Sequence, residues 1–324
     1  MQIICNNSFL GGNSVFKKIV SAIIMSVMVV ALAGCKNQSG VITETNAKNI
    51  SKIDVVVSFN PLKEFAEAVG KDKIDVKVIV PEGVEPHDFE PKPRDMENIS
   101  KAKIFVYNGV DMESWVDKTL KVIDNKNLSV VAASKGANLI KNELEEDHDE
   151  GEEEHGEFDP HVWLSLKEAK VQVKNIKDAL VQADSANKDF YEKNYEDYTK
   201  KLDEVYNEYK AKFDSVSNKN FVTGHAAFAY LCRDFGLVQK SVEDVFSEGE
   251  PTPQKMKDLI DFSKNNNIKT IFMEELASPK VSETLAKEVG AKVEKIYTIE
   301  SKEDGKDYIQ SMKDNLDKIY NSLK

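Results

Sequence analysis

Cysteine is nearly absent from this chain. Three occur in 324 residues, at positions 5, 35 and 232. The first two lie in or beside an apolar leader, so Cys232 stands alone and the body has no structural disulfide. Set among Phe228, Tyr230, Leu231 and Phe235, Cys232 reads as a small buried hydrophobe. No basic stripe is present, which removes a nucleic-acid surface. Neither His-Glu-x-x-His nor Gly-x-Ser-x-Gly occurs, which argues against a zinc protease and a serine hydrolase. The longest apolar run, residues 19–32, is too short for a comfortable membrane span. Histidine is scarce too, with five in the whole chain.

That short apolar run follows Lys17 and Lys18 and ends Leu32-Ala33-Gly34-Cys35, after which the chain turns polar. The arrangement resembles a bacterial lipoprotein signal. The resemblance implies cleavage before Cys35, lipidation of its thiol, a signal peptide over 1–34 and a polar tether over 35–51. Residues 1–14 are polar for a leader and point to a start placed too early. The expected location is the outer face of the cytoplasmic membrane. Lys- and Asn-rich composition without disulfides fits a Gram-positive cell.

Acid is concentrated in one place. Eleven of the seventeen residues at 143–159 are Asp or Glu, against a formal charge of −12 for the chain. Without that run the body is close to neutral. So acidic a stretch repels itself and stays solvated, which makes 143–158 a loop. It holds His148 and His155, whose imidazoles among carboxylates suit a weak auxiliary site for divalent cations. It then delivers the chain into Asp159-Pro160-His161.

On either side the pattern alternates strand and helix. Strands are expected at 53–59, 76–80, 104–107 and 128–133, with helices at 60–70, 96–101, 112–123 and 166–183. This is an α/β lobe with a mostly parallel sheet, over 52–186. Residues 187–217 form a long helix: Tyr191, Tyr195, Tyr198, Leu202, Val205, Tyr209 and Phe213 recur at steps of three and four, uninterrupted by Gly or Pro. At ~1.5 Å per residue it is a rod roughly 43 Å long, read as a rigid spine between lobes. A second α/β lobe fills 218–324. Its strands are expected at 221–224, 241–245, 270–273 and 292–298, and its helices at 225–235, 253–265, 282–289 and 307–323.

The three histidines outside the acidic loop fall where such sheets bind ligands, beyond the carboxyl ends of strands. His87 lies in the Pro-rich loop after the second strand. His161 follows the fourth strand and its loop. His225 follows directly on 221–224. Proline before His87 and His161 stiffens their presentation, and Gly224 allows close approach beside His225. Three neutral imidazoles with a carboxylate or water suit Zn(II). Glu274, Glu275 and Glu300 are candidate fourth donors, and Glu274 and Glu275 are equally placed to orient a histidine.

The segments Gly83–Pro91, Asp159–Leu164, Phe190–Asn194, Val222–Tyr230 and Ile271–Glu274 are similar to those of metal-binding lipoproteins of bacterial zinc and manganese uptake ABC transporters, the cluster 9 or cluster A-I solute-binding proteins. The similarity runs in order along the mature chain. It implies two α/β lobes joined by one rigid helix, with metal in the cleft between them. It puts the ligands on His87, His161, His225 and Glu300. Manganese members carry Glu where His225 stands and usually Asp where Glu300 stands. Zinc members carry the third His and often a His- and acid-rich loop before Asp-Pro-His. The implied function is a monomeric extracytoplasmic Zn(II) receptor serving a membrane permease with its own ATPase subunit, and not an enzyme. The alternatives are a manganese receptor, a secreted zinc hydrolase, or a surface adhesin.

Overall fold

The computed structural model describes residues 52–142, 156–245, 251–274 and 279–324. Cys35, His148, His155 and Glu275 lie outside them. Residues Ile50–Lys324 form one compact unit.

The first half is built on β1 (Ile53–Val57), α1 (Asn60–Gly70), β2 (Ile74–Val78), α2 (Pro93–Lys101), β3 (Ile104–Tyr107), α3 (Val116–Val122) and β4 (Ser129–Ala132). Its strands are all parallel, in the order β2-β1-β3-β4. The central strands show why. Val55, Val56 and Val57 are buried in succession, as are Ile104, Phe105 and Val106, the unbroken apolar run of a strand covered on both faces. Then come α4 (Leu166–Ala183), capped by the Ser165 hydroxyl, and the long α5 (Lys188–Asp214).

The second half repeats the plan with β5 (Asn220–Thr223), α6 (Ala229–Phe235), β6 (Val238–Ser241), α7 (Pro253–Asn265), β7 (Thr270–Met273), α8 (Pro279–Val289), β8 (Lys292–Lys295) and α9 (Tyr308–Ser322). Its parallel order is β6-β5-β7-β8. Each sheet thus reverses direction between its first and third strands. The positions just beyond those strands (Ser58 and Asn108 in one half, His225 and Glu274 in the other) stand at the two switch points.

Helix α5 belongs to both halves. Its 27 residues span about 40 Å. Near its start, Asn194 gives its side-chain amide to Val69 O on α1, 2.9 Å away. Near its end, Tyr206 and Phe213 pack on Phe235 of α6, and Phe213 meets Tyr320 of α9 edge-on. The main core runs through both sheets and this helix. A smaller cluster around Val222, Leu259, Ile271 and Leu285 fills the space under α7 and α8.

Several expected elements shift by two or three residues, and three have an end four residues from its expected place. The strand expected at 241–245 lies at Val238–Ser241, a polar sequence at the sheet edge whose side chains alternate between exposed and half-buried. An edge strand covered on one face need not look apolar, and the β-branched Val242 that suggested otherwise is buried just beyond it. The helix expected from 112 starts at Val116, because Gly109, Val110 and Asp111 all have positive φ and hold the chain in a tight turn. The helix expected from His225 starts at Ala229, leaving His225 in the turn.

Helix α6 ends at Gly236, whose φ of 68° lies in the left-handed region. A Cβ there would meet nothing within 4 Å, so the cost of one is backbone strain alone. Gly236→Ala is expected to lose about 1 kcal/mol of stability, read as a lower urea midpoint with unchanged slope.

Candidate metal centre

His87, His161 and His225 come together. One ligand-capable atom from each lies within 4.8 Å of the other two. His161 is the hub: its Nε2 is 3.3 Å from Nε2 of His87 and 3.0 Å from Nε2 of His225. His161 and His225 are buried, and His87 is half-buried. His87 rides on the loop after β2. His161 opens a short 3-10 turn ahead of α4, and His225 stands two residues beyond β5.

The far nitrogens of two of these rings are committed. His161 Nδ1 is 2.8 Å from Asp159 Oδ1, which also accepts the His161 backbone N–H at 2.8 Å. His225 Nδ1 is 2.8 Å from Asp244 O, a carbonyl that can only accept. Both Nδ1 atoms therefore carry the proton, and both Nε2 atoms present a lone pair. Burial holds all three imidazoles neutral: it depresses His161 and His225 to about 3, and lowers His87 well below the ordinary range. Lone pairs pointing at one another with no proton between them call for a cation. Four nitrogens arranged tetrahedrally at about 2.0–2.1 Å from an ion lie roughly 3.3–3.4 Å apart, close to the separations at His161.

Asp159 and Glu274 touch two of these histidines, whereas Glu300 is not among the ligand atoms gathered within 4.8 Å. Glu300 is buried, and its Oε1 has no hydrogen-bond partner. Burial first, then the charges of Glu85, Glu303 and Glu274, raises its carboxyl well above the usual range. A buried carboxyl with acidic neighbours keeps its proton until a cation arrives to offset its charge. Ile299, just before it, is β-branched yet has φ 62°, so the backbone that presents Glu300 is strained. Glu274 accepts the His225 backbone N–H at 3.0 Å, and burial pushes its carboxyl up to about 8. Its place is beside the backbone of His225, and its second oxygen is also unpartnered.

Two contacts were not assigned from sequence. The carboxylate of Asp159 sets the ring of His161, and the carbonyl of Asp244 sets that of His225. The first was open to reading, since an acid two residues before a ligand can fold back on it. The second depends on where the turn after β6 lies.

A site made by imidazoles from both halves of a two-sheet α/β fold, with one helix shared between the halves, defines a two-lobed metal-binding protein. A family profile described as "Zinc-uptake complex component A periplasmic" matches residues 55–322. The chain belongs to this ZnuA family. The high-affinity zinc uptake system protein ZnuA of Bacillus subtilis is 40% identical over 319 residues, covering 95% of this chain and 98% of the relative. Among solved structures, the laminin binding protein Lmb of Streptococcus agalactiae, described as bifunctional with adhesin and metal transporting activity, aligns with a TM-score of 0.76 at 33% identity, over 84% of this chain and all of its own. The Zn(II)-bound ZnuA-like domain of Streptococcus pneumoniae AdcA aligns with a TM-score of 0.71 at 33% identity, over 84% and 99% of the two chains.

Proposed function

We propose that this protein is an extracytoplasmic receptor that captures Zn(II) and delivers it to an ABC transporter permease, whose separate ATPase subunit supplies the energy. The observation that carries the reading is the convergence of three neutral imidazoles, two with Nε2 fixed as acceptor by a partner on Nδ1. His87, His161 and His225 are the ligands, and Glu300 closes the site as the fourth donor. Four protein donors leave no open position for an attacking water, so the site holds its cargo and performs no reaction. Imidazole in place of a third carboxylate moves preference away from Mn(II). The metal cluster, rather than any adhesive surface, is what the geometry supports.

Among the described residues no helix is long and apolar enough to cross a membrane. Attachment through a lipid on Cys35 supplies the membrane contact in this reading, with the receptor acting as a monomer. The lobes are 52–186 and 218–324, joined by the helix within 187–217. His148 and His155 serve as a weak collecting site.

The test is metal content. Protein starting at Lys36 is equilibrated with equal free Zn(II) and Mn(II) and read by elemental analysis. One zinc per chain is expected, and none in His225→Ala. Manganese retained in place of zinc, or zinc unaffected by the substitution, would overturn the assignment.

A further inference from the structure

Two consecutive carbonyls lead into His161, and each is held by one buried side-chain donor. Asn108, just past β3, gives an Nδ2 proton to Pro160 O at 2.9 Å. Tyr230, on α6 in the other half, gives its hydroxyl proton to Asp159 O at 2.6 Å. Both side chains are wholly buried.

The donors are themselves fixed. Asn108 Oδ1 accepts from Gln172 Nε2 at 2.8 Å and from Ser134 Oγ at 3.1 Å. Its backbone N–H goes to Glu113 at 2.7 Å. The Tyr230 oxygen accepts the Ile140 backbone N–H at 3.2 Å, and the Arg233 guanidinium lies over its ring, 5.1 Å from the centroid. Arg233 in turn pairs with Glu168 at 2.6 Å.

Proline already fixes one torsion of this turn. The two carbonyl contacts, and the Asp159 carboxylate on the His161 ring, remove most of the remaining freedom. What they fix is Nε2 of His161, the atom that meets both other imidazoles. Metal–ligand distances tolerate only about 0.2 Å of error, so a turn that sways by more cannot keep three donors on one ion.

We propose that Tyr230 and Asn108 are positioning residues of the metal centre: a two-sided brace, one arm from each half, that sets the height of His161 over its partners. The proposal rests on the zinc-receptor reading. A purely structural pair of buried hydrogen bonds would affect stability. A brace affects the geometry of the bound metal as well.

The experiment compares Tyr230→Phe, which keeps the ring and removes the hydroxyl, with Asn108→Asp, which keeps the shape and replaces the donor by an acceptor. Cys232→Ala is the control, a buried change on the same helix that removes neither of the two carbonyl contacts. Zinc affinity is measured by chelator competition, ligand geometry by the visible spectrum of the Co(II) complex, and stability by melting of the metal-free protein. Tyr230→Phe is expected to weaken zinc binding about tenfold, at the lower end of the range for groups that orient ligands, and to shift the Co(II) bands. Cys232→Ala is expected to lower the melting temperature with affinity and spectrum unchanged. Tyr230→Phe with affinity within about twofold of wild type and a superimposable spectrum would overturn the brace, whatever its melting temperature. If that variant does not fold, the same two outcomes in Asn108→Asp decide. Wild-type protein that binds neither ion would overturn the receptor reading and the brace together, which separates that failure from failure of the brace alone.

Discussion

His161→Ala protein is expected to hold no zinc through gel filtration. His161 is the one imidazole whose Nε2 lies beside both of the others, so its loss leaves two imidazoles that no longer share a neighbour. The loss in affinity should exceed the roughly 10–100-fold typical of groups that merely orient a ligand. It should also exceed the loss in His87→Ala, because His87 is half-buried and water can stand in for its nitrogen. The measurement is urea unfolding with and without zinc. A ligand bound only by the native state stabilises by about 2.7 kcal/mol at a hundred times its dissociation constant. Wild type should show a gain of that order, and His161→Ala should show none. A zinc-dependent gain equal to that of wild type would remove His161 from the site.

Parts of this arrangement were legible in the residues. The tyrosine and phenylalanine seam located α5 because a one-sided apolar stripe is what a shared helix needs. The helices expected at 60–70 and 253–265 stand where expected, each with a proline in its first turn, because first-turn prolines are local chemistry. Three histidines at strand ends were legible because a parallel sheet gathers its carboxyl ends on one side. What escaped was tertiary. Strand β6 is polar because it is an edge, and edges are a property of the sheet. Asn108 and Tyr230 lie 52 and 71 residues from the atoms they hold, and nothing local marks an Asn or Tyr as the holder of a carbonyl. Asp244 acts through its backbone, where side-chain identity carries no signal.

Trp163→Ala is expected to have the largest effect on stability. The indole is wholly buried, meets Phe59 edge-on with centroids 4.9 Å apart, and stands 5.2 Å from the ring of His161. It also joins the halves. Its Nε1–H donates to Thr298 O at 2.8 Å, on the segment after β8. Its own carbonyl accepts the Tyr308 hydroxyl of α9 at 2.6 Å. Truncation removes a large buried ring, at about 3–5 kcal/mol, and leaves the Thr298 carbonyl without its donor. Trp163→Phe keeps most of the ring and loses the donor, at about 1–2 kcal/mol. Against a total of about 5–15 kcal/mol for a typical domain, the first change brings the metal-free protein near its unfolding threshold, and the second does not. Because the imidazoles themselves remain, zinc should still raise the urea midpoint of both variants. His161→Ala should show no response to zinc. If Trp163→Ala lost the zinc response in full while still folded, the indole would be acting on the metal centre directly, through its contact with His161, rather than through the joint between the halves.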